Sequence, residues 1–247
     1  MGKLMQKLLG KNKRQKLTIA AVAFILYVLA LSGIFSYFHG SDAVTNRLTA
    51  KQGSIALIEE KWDSTGKAMA AKSEPGMQIP KDPVAVNDSA TTEFCRIQMT
   101  VTVGNDSNPL LDGSAYNRNS KQRIKGIIDA ICLDKNGTQL IKVDDDLKPT
   151  GDCNNPSFHV VSEADYVADS RSMTYYFYYI GNDKNMKVMN PDDRTVALFE
   201  YVLIPKYKAD YLGIFDLNYN IVLEAQAIPA VSGEILSPVD AKAKFTS

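Results

Sequence analysis

Polar and apolar positions alternate without a break across Arg96–Val103 (RIQMTVTV). Cys95, Ile97, Met99, Val101 and Val103 share one side; Phe94, Arg96, Gln98, Thr100 and Thr102 share the other. Period two over ten residues predicts a strand with one buried face. NYNIVLEAQAI near the C-terminus repeats the pattern, with Ile221, Leu223, Ala225 and Ala227 inward and Asn220, Glu224 and Gln226 outward. GSIALIEE at Gly53–Glu60 is a shorter strand candidate. IIDAICLDKNGTQLIKV, residues 127 to 143, predicts a hairpin around Asn136-Gly137, a dipeptide that supplies positive φ. MTYYFYYI, residues 173 to 180, is aromatic on both faces, and TVALFEYVLIP predicts a strand stopped by Pro205. Short helices are expected at NSKQRIKG, started by Asn119 or Ser120, and at KYKADYLGIF. The segments between are rich in turn formers: SEPGMQIPKDP, VGNDSNPLLDGSAYNRNS, TGDCNNPS and GNDKNMKVMNPDD. Six to eight strands in about 200 residues predict an all-β fold, a single antiparallel β-sandwich with short accessory helices.

The N-terminus follows another rule. The 22 residues Leu17–Phe38 carry no formal charge, and the sixteen before them contain Lys3, Lys7, Lys11, Lys13, Arg14, Lys16 and no acid. A basic segment before an apolar one is read by export machinery and keeps its basic end in the cytoplasm. The run nearly spans a bilayer at about 20 residues and exceeds the roughly 7–15 of a signal-peptide core, so length leaves anchor and cleavable signal both open. Either way, residues from Ser41 onward are expected outside the cytoplasm. Small residues are favoured before a cut, and Ser36 is the best placed.

Composition narrows the function. With six of the 28 basic residues in the leader, the remainder carries 22 against 28 acids. A net charge near −6 argues against a nucleic-acid partner, which needs a clustered basic face. Cys95, Cys132 and Cys153 do not make a disulfide scaffold. Buried free thiols are expected for Cys95 and Cys132, with a disulfide involving Cys153 as the alternative. The two histidines, His39 and His159, form no H-E-x-x-H, and no G-x-S-x-G occurs, so neither a zinc peptidase nor a serine hydrolase is expected. Asp144-Asp145-Asp146, with Asp152 nearby, offers oxygens to calcium but lacks the spacing of a calcium loop, and a solvated loop is the better reading. Asn87, Asn105 and Asn136 open glycosylation sequons, which matter only in a eukaryotic secretory pathway. No catalytic residue, metal ligand or cofactor is assigned.

The junction GIFSYFHGSDAVTNRLTAKQGSIALIEEKWD resembles the N-terminal pattern of the TasA/camelysin family, exported biofilm-matrix fibre proteins of Gram-positive bacteria. Tyr37-Phe38, Ser41-Asp42, Thr45-Asn46, Leu48-Thr49 and Ile55-Ala56-Leu57 carry the likeness, with Glu59, Glu60 and Trp62 at the expected strand end. EPGMQIPKDPVAVNDS, ALFEYVLIP and IVLEAQAI extend it, whereas His39-Gly40 and Gln52-Gly53 depart from it. The resemblance implies a jelly-roll-like sandwich and removal of the signal helix by a dedicated signal peptidase near Ser36, Tyr37 and Phe38. It also implies subunits that polymerise into extracellular fibres, with other matrix components or the cell wall as further partners. The peptidase label in the family name is not carried over, because no histidine pair supports it.

The resulting layout is a signal peptide at 1–38 (basic 1–16, apolar 17–38), an arm at 39–52, a β-sandwich at 53–232 and a C-terminal tail at 233–247. Ser41, Asp42, Thr45, Asn46, Leu48 and Thr49 are the expected polymerisation residues, acting by strand exchange between subunits. The competing readings are a surface binding module or adhesin held by an uncleaved anchor and, further off, a secreted peptidase.

Overall fold

The structure, a computed structural model, describes residues 55–104, 118–161, 166–207, 210, 213–215 and 219–245, all within one unit, Ala50–Ser247. Most of the regular structure is strand, in antiparallel sheets, with a few short helices.

The longest alternating segment became the centre of the largest sheet. Strand β4 (Glu93–Val103) pairs antiparallel with β7 (Ser172–Tyr179) on one side and β9 (Tyr219–Pro229) on the other, and β6 (Phe158–Val161) extends β7. Ile97 stands opposite both Phe177 and Ala225. The order is β6-β7-β4-β9. Cys95, Ile97, Met99 and Val101 are fully buried on the inner face, as are Met173, Tyr175 and Phe177. A second sheet has the order β2 (Gln78–Pro80), β8 (Tyr201–Leu203), β5 (Ile131–Cys132). The third is the pair β1 (Ile55–Ile58) and β3 (Val84–Asn87). One cluster joins them: Ile79, Ala85, Ile97, Ile131, Phe177 and Val202 all belong to it.

The hairpin expected at 127–143 is shorter than its apolar run. Helix α2 (Ser120–Ala130) takes the first part, after the short helical stretch of the π-helical turn Trp62–Gly66 and α1 (Lys67–Ala70). Asn119 caps α2: its Oδ1 accepts from the Gln122 N–H at 2.9 Å, and Gln122 Oε1 accepts from the Asn119 N–H at 3.2 Å. Ile124, Ile127 and Ile128 are buried at helical spacing, so the reciprocal cap selects period 3.6 where the run itself fits either period. Only 131–140 forms the hairpin. Its turn rests on Gly137 at φ +93° and on Asp134, whose carboxylate accepts from the backbone N–H of Asn136 and Thr138. Asn119→Ala should cost about 1 kcal/mol in a urea melt, with the helical circular-dichroism signal falling alongside.

The run 195–205 also pairs less than expected. Only Tyr201–Leu203 joins a ladder, because the preceding backbone is bonded elsewhere. The Thr195 N–H donates to Ala85 O, Leu198 to Pro83 O and Glu200 to Cys132 O, while Asn155 Nδ2 donates to the carbonyls of Ala197 and Leu198. Conversely, β2 arises inside the segment SEPGMQIPKDP, expected as loop, because Ile79 is buried and pairs with Val202. The strand at Gly53–Glu60 is described over Ile55–Ile58, and Trp62 lies in the helical turn beyond it rather than at a strand end.

The outer face of β4 departs most from the alternation rule. Phe94 and Arg96 are buried, not solvated. Helix α3 (Pro238–Phe245), within the expected tail, packs over them and forms a second cluster of Phe94, Tyr178, Met186, Ile228, Leu236 and Ala241. Tyr178 is on the same side, so β7 is indeed aromatic on both faces.

Candidate functional site

Ser36, Tyr37 and Phe38 of the expected cleavage region lie outside the described residues. So do Ser41, Asp42, Thr45, Asn46, Leu48 and Thr49 of the expected arm, as well as His39, Asn105 and residues 208, 209, 211 and 212 of KYKADYLGIF. Among the described residues no helix is long and apolar enough to cross a membrane; Leu17–Phe38 is not among them.

The described body carries one long sheet edge. β9 is bonded to β4 over its 11 residues, and among the described residues no strand pairs with its other side. Strand edges are normally blunted by charge, proline or shortness. β9 has a single charged side chain, Glu224, and its proline is the last residue, Pro229. Val222, 49% exposed, stands on its outward face. Two clefts lie beside the strand. One of about 220 Å³ meets Tyr219–Ile221, and one of about 190 Å³ runs along residues 224–228 between Ile55 and Phe245. The alternation of β9 was legible in the sequence; its position at the end of the sheet was not, because that depends on which strands it fails to meet.

A second constellation surrounds Arg96, 3% exposed. Its guanidinium lies 4.2 Å from the Tyr176 ring centre and 4.4 Å from that of Phe245, with Nε donating to Gln226 Oε1 at 2.7 Å and Nη1 to Tyr178 Oη at 2.8 Å. A stacked and forked arginine of this kind pins α3 to the sheet.

The acidic loop folds around its own backbone. Asp144 Oδ1 accepts from the N–H groups of Asp146 and Lys148. Asp145 pairs with Lys125 at 2.8 Å and Asp146 with Lys121 at 2.9 Å. The Lys125 contact lowers the Asp145 pKa. Leu147, at φ +67°, is buried and accepts a hydrogen bond from Tyr175 Oη at 2.8 Å, which anchors the loop to the core. Asn87, the first residue of a sequon, is buried with its amide donating to the carbonyls of Thr91 and Met189, so that site is closed in the fold. Asn136 is exposed in its turn. His159 is half-buried on β6, opposite Tyr178.

All three cysteines are buried free thiols, Cys153 included. Burial raises the Cys95 pKa, with Glu93 adding to it, and pushes Cys132 up to about 11 and Cys153 up to about 12. The thiolate is the reactive form. At pH 8 a maleimide should therefore label none of the three in the folded chain and all of them in urea, as counted by intact mass. Labelling of native Cys153 would contradict its placement.

Compared with protein-family models, curated proteins and solved structures, the chain matches none.

Proposed function

We propose that the chain is an exported, non-catalytic structural subunit of extracellular fibres, built as a jelly-roll-like β-sandwich of the TasA/camelysin kind and joined to its neighbours by strand addition. The observation that carries this reading is the free edge of β9: 11 residues with one row of backbone N–H and C=O groups that no described strand pairs. Main-chain hydrogen bonds from an incoming extended segment would satisfy that row. The arm SDAVTNRLTA, residues 41–50, suits it in length. At about 3.3 Å per residue its ten residues span about 33 Å, against about 36 Å for β9. An arm from one copy on the edge of the next is a head-to-tail contact that does not close on itself, and it propagates as a filament. Cleavage by a signal peptidase near Ser36–Phe38 would free the arm.

Deleting residues 41–50 behind an intact, cleavable signal should abolish filaments in negative-stain electron microscopy while leaving a folded monomer. Filaments that persist after the deletion would falsify the mechanism. The uncharged length of Leu17–Phe38 favours one competing reading, a surface binding module held by an uncleaved anchor. N-terminal mass spectrometry of the extracellular fraction separates the two, since only cleavage yields a chain starting near residues 37–41.

A further inference from the structure

We infer that the cleft at the start of β9 binds a single neutral pyranose unit of a carbohydrate, a role separate from assembly. The cleft, about 220 Å³, is walled by Trp62 and Tyr219, by the aliphatic side chains of Ile79, Val202 and Ile221, and by Lys81.

Lys81 is the residue that asks for a ligand. It is 5% exposed, yet it lines the cleft. Its Nζ lies 2.7 Å from Glu59 Oε1 and 4.3 Å from the centre of the Trp62 ring. An ammonium has three N–H donors. Among the described residues one carboxylate and one indole face meet it, which does not occupy all three donors. An oxygen of a ligand in the cleft can accept from that ammonium.

Charge decides which oxygen. A cationic ligand would meet the Lys81 ammonium. An anionic one gains no net attraction, because Glu59 already balances Lys81. A neutral acceptor remains.

Size and walls decide the body that carries it. The cleft is smaller than the roughly 300–1,000 Å³ typical of drug-sized ligands, so it holds one ring rather than a nucleotide or a peptide. Aromatic and aliphatic walls suit the C–H face of a sugar ring, and hydroxyls answer Lys81 and the rim residue Asn220. Tyr219 is held edge-on against Phe215, with centroids 5.2 Å apart and planes at 87°, so the platform is preorganised.

Trp62 is the sole tryptophan of the chain, so its emission reports on the cleft directly. The full chain is titrated with glucose, galactose and N-acetylglucosamine, and with glucuronate and glucosamine as charged counterparts. At least one neutral sugar should give a saturable change in emission, with the charged sugars at least about tenfold weaker. Ala70→Phe, which fills the cleft from α1, should remove the response while circular dichroism stays native. Tyr219→Ala should weaken binding by roughly tenfold and serves if the first variant does not fold. The proposal is overturned by no saturable response to any neutral sugar, by equal response to the charged ones, or by binding that survives both variants. It is equally overturned if a peptide of residues 41–50 perturbs Trp62 where the sugars do not, since the cleft would then be a strand-docking pocket.

Discussion

Phe177→Ala is expected to cost the fold about 3–5 kcal/mol, read as a drop in the urea midpoint at unchanged slope. Phe177 is fully buried on the inner face of β7, opposite Ile97 on β4 and Val160 on β6. It therefore touches the part of the core where the four-stranded sheet meets the rest. Truncation removes the transfer free energy of the ring and leaves a cavity that close-packed neighbours fill only in part. The control is Val222→Ala on the outward face of β9, where the side chain is 49% exposed and the change should stay within about 0.5 kcal/mol. Equal losses from the two variants would mean that the inner face had been wrongly assigned.

Arg96→Ala should cost about 3 kcal/mol and release α3 before the rest of the fold opens. The substitution removes the bonds to Gln226 and Tyr178 and the layer between Tyr176 and Phe245. Hydrogen exchange is the discriminating measurement. Protection across 236–245 should fall to that of a loop, while the β4–β7 ladder around Ile97 and Phe177 stays protected. Arg96→Lys should resemble the alanine variant more than the parent, because an ammonium keeps the charge but neither stacks as a plane nor donates as a fork. If α3 keeps its protection in both variants, Leu236 and Ala241 hold it in place and the arginine does not.

These two residues mark the limit of reading strands from alternation. Ile97 and Phe177 sit where their period-two patterns place them. The same pattern puts Phe94 and Arg96 on the side opposite the buried face, yet both are buried. Alternation says which residues share a side; it does not say what covers that side. Here the cover is a helix more than 130 residues further along the chain.

Local sequence by itself determined the strands β4, β7 and β9, the Asn119 start of α2 and the turn at Gly137. In each case the signal that reveals the element, a periodicity, a cap or a turn residue, lies within it or within four residues of it. Tertiary structure decided the rest. It drew the backbone of 195–200 away from its ladder and closed the sequon at Asn87. It also brought Lys81 to Glu59 and, beside one cleft, to Trp62, and it left β9 at the end of its sheet among the described strands. Each of these outcomes depends on partners far away in sequence, and the place of β9 depends on which of the described strands do not pair with it. No periodicity along a single strand carries that information.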